Sequence, residues 1–306
     1  WEKTINSIFT ETGTDIYLTG SNAGMLSSEL STHLSGRYIE LPLHTLNFNE
    51  FLKFRKNPDK DREKEFLLFL RYGGLPAIHQ LELEDESIYP YIRAIYNTIL
   101  LKDVVARYQV RSVNLLENIT EYVFDNIGNN FSAKRIADYL KSQQTQVGVD
   151  TIQNYLKQLE SAYLINKVKR YDLKGKKILE VNEKYFLGDI GIRHSVLGYR
   201  ENDISGILEN VVYLELLRRG YKVNIGKQAK QEIDFVASKE NEKIYIQVCY
   251  LLASEETISR EFEALLAIKD NYPKYVLSMD KLFGNDYQGI QRLNIIDFLQ
   301  KPTRKT

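Results

Sequence analysis

The sequence has 306 residues, with 41 Lys and Arg balanced by 41 Asp and Glu, and is 43% hydrophobic and 27% charged. That length exceeds the span over which one hydrophobic core keeps growing, so two or three domains are expected, and the composition excludes a disordered chain or one that is basic overall. The densest apolar patch, Phe66 to Leu70, falls far short of the roughly 18 residues that cross a bilayer, and one cysteine, Cys249, allows neither a disulfide framework nor a cysteine-built zinc site.

A reducing, cytoplasmic setting without membrane contact is therefore expected. The chain opens at Trp1 with no initiator Met, signal peptide or targeting run, which predicts an internal start and a fragment of a longer protein.

In chain order, Asp15 to Thr19 reads as a buried strand that leaves at Gly20. Met25, Leu26, Leu30 and Leu34 recur at helical spacing, and Tyr38 to Leu41 reads as a second strand closed by Pro42. From Phe48 to about Arg107 the period is helical, broken at Gly73-Gly74 and Pro76, with a long amphipathic segment from Ile88 to Tyr108. This stretch reads as a small helical lid.

Between Asn114 and Lys184 the order is helix, helix, helix, strand, turn, strand, the outline of a winged helix-turn-helix. Ser132 is placed to cap the helix through Leu140, and Asp150 to cap the next. In that next helix Ile152, Tyr155, Leu156, Leu159 and Tyr163 form one apolar stripe, which leaves Gln153, Asn154, Lys157 and Gln158 outside. Leu164 to Tyr171 and Lys177 to Val181 then flank the basic turn Leu173-Lys174-Gly175-Lys176. From Phe131 to Lys184 there are 11 Lys and Arg against 6 Asp and Glu, a local excess in a neutral chain. Gln153, Asn154, Lys157 and Gln158 are types that hydrogen-bond base edges, and Lys174, Lys176 and Lys177 suit phosphates, so DNA is one expected partner. Packing or a protein contact is the alternative use of such a module.

After Gly198 a helix from about Ile207 to Arg219 is expected, then strands at Tyr221–Ile225, Ile233–Ala237 and Ile244–Tyr250. A helix near Glu255–Lys269, a strand at Tyr275–Ser278, and a strand and short helix over Leu293–Leu299 follow. Helix, three-strand meander, helix, strand is the core order of the restriction-endonuclease-like fold. In that class a helix Glu, a strand Asp and a Glu-x-Lys strand surround a divalent ion, the Lys helping to activate water. The counterparts are Glu209, Asp234 and Gln247-Val248-Cys249; Gln247 is a weaker ligand than Glu, and Cys249 replaces the Lys. An inactive centre without bound metal is expected, with metal-dependent cleavage as the alternative. His33, His44, His79 and His194 have no metal or triad spacing, and Cys249 lies in an apolar strand that suits an inert thiol.

No Gly-rich phosphate loop with a following Lys and Ser or Thr occurs, so the chain is not expected to hold or hydrolyse ATP by itself. Nevertheless Leu18-Thr19-Gly20-Ser21-Asn22-Ala23, Leu34-Ser35-Gly36-Arg37, Leu41-Pro42-Leu43 and Phe48-Asn49-Glu50-Phe51 resemble the second half of the core of prokaryotic AAA+ ATPases that carry a C-terminal domain of unknown function. The resemblance continues through Leu208-Glu209-Asn210, Glu232-Ile233-Asp234-Phe235 and Ile246-Gln247-Val248. It implies an α/β multidomain protein: residues 1–47 as half of an ATPase core, 48–112 as its lid, 113–198 as the winged helix and 199–306 as the nuclease-like domain. It also implies ATP and Mg in a longer parent, Thr19, Ser21 or Asn22 at a γ-phosphate sensor, Arg37 facing a nucleotide, and self-assembly or a protein partner. A DNA- or protein-binding regulatory module without enzymatic activity remains the other reading of the whole.

Overall fold

The computed structural model describes residues 4, 5, 7, 8, 10, 14–22, 38–228, 231–281 and 286–301, with backbone alone for 180–182. Among these, ten α-helices and nine strands form a mixed α/β structure. The helices are α1 (Phe48–Phe54), α2 (Arg62–Tyr72), α3 (Asp85–Thr98), α4 (Val113–Asp125), α5 (Ala133–Ser142), α6 (Val149–Ser161), α7 (Ile190–Leu197), α8 (Ile204–Arg218), α9 (Glu255–Leu266) and α10 (Ile295–Gln300). The strands are β1 (Asn130–Phe131), β2 (Ile165–Asp172), β3 (Lys177–Leu187), β4 (Lys222–Gln228), β5 (Gln231–Lys239), β6 (Glu242–Val248), β7 (Lys274–Ser278), β8 (Asp286–Tyr287) and β9 (Ile290–Asn294).

All nine strands join one sheet in the order β1-β3-β2-β4-β5-β6-β7-β9-β8. The β2–β3 hairpin is antiparallel, and β2 also pairs in parallel with β4 through Arg170–Asp172 and Ile225–Lys227. The sheet thus crosses the sequence boundary expected at 198/199, because the outer edge of the hairpin has free N–H and C=O groups that β4 satisfies. No helix among the described residues is long and apolar enough to cross a membrane.

The expected strands at Asp15–Thr19 and Tyr38–Leu41 are not paired: residues 14–20 and 38–47 are extended without a ladder. Strand structure requires a ladder of hydrogen bonds to a neighbour, and these segments join none among the described residues; Tyr17 (85% exposed), Ile39, Leu41 and Leu43 (92%) face solvent. The helix expected through Met25 to Leu34 lies outside the described residues. The long segment from Ile88 is α3 followed by a wider, π-type stretch, Ile99–Ala106.

The caps are partly as expected. Ser132 caps α5 by accepting from the Arg135 amide, whereas α6 is capped by Gly148, and Asp150 lies in its first turn, where a carboxylate favours the helix dipole. Tyr163 falls beyond the end of α6, with φ of 57°, and is exposed instead of completing the apolar stripe.

A glycine-lined joint holds the helical part together. Asp189, buried, caps α7 by accepting from the Gly191 amide at 2.8 Å and also accepts from the Gly74 amide at 2.8 Å. The Leu46 amide donates to the Gly74 carbonyl at 2.7 Å. A Cβ on Gly74 would stand 2.2 Å from the Leu46 carbonyl oxygen. Burial pushes the Asp189 carboxyl up to about 6, although both amides act the other way.

Two outcomes follow from this joint. Gly74→Ala is expected to lose about 1–3 kcal/mol in urea unfolding through overpacking against backbone; an unchanged midpoint would mean that the segment at Leu46 yields freely. Because the folded pKa of Asp189 lies above its unfolded one, its contribution is full below the unfolded pKa and is lost as pH rises through about 6. The stability advantage of the wild type over Asp189→Asn should accordingly shrink from pH 4 to pH 7, and a pH-independent difference would refute the assignment.

Candidate functional site

Side chains alternate along β3, and that alternation builds two different sites on its two faces. Glu183 and Tyr185 line a cleft beneath α6, while Lys184 and Phe186 face α8 and β5. Phe186 stacks on Tyr213 of α8 at 4.7 Å and lies 5.5 Å from Phe235 of β5. Asn210, next to Glu209 on α8, accepts from the Leu187 amide at 2.6 Å and donates to its carbonyl at 3.2 Å. These contacts fix the register of β3 against α8.

Lys184 is thereby driven into the expected nuclease-like residues. Its Nζ lies 3.2 Å from Glu209, 2.9 Å from Glu232 and 4.0 Å from Asp234, and its side chain is 4% exposed. Asp234 accepts from the Val248 amide at 2.8 Å, and its own amide donates to Gln247 Oε1 at 2.7 Å. Gln247 Nε2 in turn donates to Glu261 of α9 at 3.0 Å, and Arg260 closes on the other oxygen of Glu261. Asn130 of β1 donates to Glu232 at 2.7 Å, and Arg170 of β2 stands 3.6 Å from it. The structure therefore brings together Glu209, Asp234 and Gln247 and adds Lys184, Glu232 and Glu261.

The electrostatics follow from burial. Burial works against the Lys184 charge, but Glu209, Asp234 and Glu232 outweigh it and hold the ammonium above its ordinary range. Burial and then Asp234 raise the Glu209 carboxyl; Asp234 is also raised by burial, against the pull of Lys184. Cys249 is buried just past the end of β6, beside this cluster, and burial followed by Glu261, Asp280 and Asp234 pushes its thiol up to about 12, which leaves it protonated and unreactive at neutral pH.

On the opposite face of β3, a cleft of about 740 Å³ is lined by Ser132 to Lys134 at the start of α5, Gln153 and Lys157 of α6, and Lys167, Lys169, Glu183 and Tyr185 of the hairpin. Gln153, Asn154 and Lys157 are exposed, as are Lys134 and Lys169. Lys167 is engaged by Glu183 at 2.7 Å. Lys174, Lys176 and Lys177 are exposed at the hairpin tip, which β4 holds from behind through the Leu173 amide and Lys227 carbonyl at 3.0 Å. Of the expected nucleotide-facing residues, Thr19 is exposed, Ser21 donates to Asp103 at 3.1 Å, Asn22 is buried, and Arg37 lies outside the described residues.

Sequence reasoning missed Lys184, Lys134 and Lys169. The signal for Lys184 was the alternation Glu183-Lys184-Tyr185-Phe186, in which a cation shares a face with a core aromatic.

Residues 1–52 match an AAA domain, and residues 63–203 match a domain of unknown function, DUF8612. An uncharacterized protein of Haemophilus influenzae is 36% identical over 302 residues, which covers 98% of this chain and 74% of that protein. Uncharacterized protein MJ1544 of Methanocaldococcus jannaschii is 33% identical over 316 residues, covering 97% of this chain and 68% of the relative. Uncharacterized protein MJ1637 of the same archaeon is 23% identical over 307 residues, covering 88% and 63%. No solved structure matches the chain. Identity at this level over nearly the whole sequence means that the chain belongs to the family of these bacterial and archaeal proteins, with an AAA-domain match at its start and a domain of unknown function in its middle.

Proposed function

We propose that the protein is the DNA-contacting part of an ATPase-family protein, in which residues 113–198 act as a winged helix and residues 199–306 as a nuclease-like domain that does not cleave. The observation that carries this reading is the basic cleft under α6. A helix with Gln153, Asn154 and Lys157 exposed fits a major groove about 12 Å wide, and the exposed Lys134 and Lys169 share its cleft, where they outnumber the remaining acidic side chain, Glu160, once Lys167 has paired with Glu183. The order α4, β1, α5, α6, β2, β3, with β1 paired to β3, supports the winged-helix reading. Lys174, Lys176 and Lys177 extend the basic surface to the hairpin tip.

ATP and Mg belong, on this reading, to a nucleotide site of the longer family protein, and the cytoplasm is its setting. Thr19, Ser21, Asn22 and Arg37 would report the nucleotide state, with Ser21 passing it to the lid through Asp103. The exposed Tyr17, Ile39, Leu41 and Leu43 favour an additional contact of this region with protein, either a second copy or another partner.

Fluorescence anisotropy with duplex and single-stranded DNA across a salt series tests the reading. Steep salt dependence is expected, and each cleft lysine that contacts a phosphate should account for a slope of about 0.9 in log affinity against log salt. Replacing Lys134, Lys157 and Lys169 with Glu should weaken binding strongly at low salt. The same change at Lys174, Lys176 and Lys177 should weaken it further, without loss of the thermal transition. Absence of binding to any DNA at low salt would leave a protein-interaction scaffold in its place.

A further inference from the structure

A divalent ion in a nuclease-like centre would have to lie between Glu209, Asp234 and the side chain at position 247, and the atoms that would bind it are committed elsewhere. Gln247 spends its carbonyl oxygen on the Asp234 amide and its NH2 on Glu261. One oxygen of Asp234 accepts from the Val248 amide, and the other faces Lys184 Nζ at 4.0 Å. Glu209 and Glu232 approach the same ammonium at 3.2 and 2.9 Å. Arg170 adds a second positive charge 3.6 Å from Glu232. Magnesium demands oxygen ligands at about 2.0–2.1 Å in near-octahedral array, and here the Lys184 ammonium lies between the carboxylates of Glu209 and Glu232, in the space such an ion would fill, with position 247 an amide bridging two other groups. The residues present do not fit the metal.

We propose that Lys184 is the resident cation of this centre: its ammonium takes the place of the divalent ion and turns Glu209, Glu232 and Asp234 into a metal-free clamp that binds β3 to α8 and β5. Lys184 reaches this position because β3 cannot slip. A one-residue shift would present Glu183 or Tyr185 instead, and would break both the Phe186 stack and the Asn210 bonds to the Leu187 backbone. Emptying the lysine position should therefore unmask a cation site. The proposal rests on the nuclease-like reading only for where a metal would be expected; DNA affinity plays no part in its test.

The test is Mn2+ binding, followed by electron paramagnetic resonance and by the thermal transition, with the whole chain. The wild type is expected to bind no stoichiometric Mn2+ at this centre, and its transition should not move with the metal. Lys184→Ala should take up one Mn2+ per chain, with a transition that rises as Mn2+ is added, and Lys184→Ala combined with Asp234→Asn should lose both effects. Lys184→Arg, which keeps a cation, should behave as the wild type. If Lys184→Ala is unfolded without metal, recovery of a cooperative transition on adding Mn2+ supports the proposal and failure to recover overturns it. Stoichiometric Mn2+ binding or plasmid cleavage by the wild type, removed by Asp234→Asn, would also overturn it, as would a folded Lys184→Ala that ignores Mn2+.

Discussion

One buried ammonium organises the joint between the two halves of this protein. Lys184 is nearly inaccessible to solvent and within 4.0 Å of three carboxylates drawn from α8 and β5. Taking such a charge out of water is costly, and the arrangement persists only because every partner is in place. Removing one member of a buried ion pair typically costs about 3–5 kcal/mol, since the remaining charge is left uncompensated. Glu232 is further held by Asn130 and Arg170, so β1, β2, β3, β5 and α8 all meet at this point. A polar cluster of this kind is intolerant of a slipped register in a way that apolar packing alone is not.

The consequence reaches both faces of the sheet. Because β3 alternates, fixing Lys184 and Phe186 toward α8 necessarily turns Glu183 and Tyr185 toward the cleft below α6. The basic cleft and the carboxylate centre are therefore two sides of a single strand, and the β2–β4 pairing extends that strand's hairpin into the remaining sheet. The Leu173 amide and the Arg170–Asp172 ladder with β4 tie the outer part of the hairpin to the sheet, while its own register shifts between Val168 and Arg170. Asp189 plays a comparable part at the other end of β3, where it joins the glycine turn after α2 to the first turn of α7.

The stretch Leu208-Glu209-Asn210 also takes on a structural meaning. Glu209 grips a lysine and Asn210 grips backbone, so two adjacent polar residues that read as part of a catalytic pattern fasten a strand. Gln247 is similar. Its amide bridges the Asp234 backbone and Glu261, a task that needs one acceptor and one donor, which a carboxylate could not perform at neutral pH. An amide, a weaker metal ligand than a carboxylate, suits this position as a bridge.

Much of the fold was legible from local periodicity. The order of α4 to α6, β2 to β7 and α8 to α10 follows from apolar spacing, because burial of one helical stripe or one strand face leaves its period in the sequence, but β3, expected to end at Val181, runs on to Leu187 and so includes Lys184 and Phe186. Ser132 was legible as a cap because the hydroxyl needs only the next turn of its own helix. The sequence by itself thus determined the elements, the local excess of positive charge and the candidate carboxylates, all of which depend on neighbours a few residues apart. Only the tertiary structure decided that β2 would pair with β4, that residues 14–20 and 38–47 would join no strand ladder among the described residues, and that Lys184 would enter the carboxylate centre from a strand 25 residues before Glu209 and 50 before Asp234. Those outcomes depend on which edges and charges meet across long stretches of chain, and no local period encodes them.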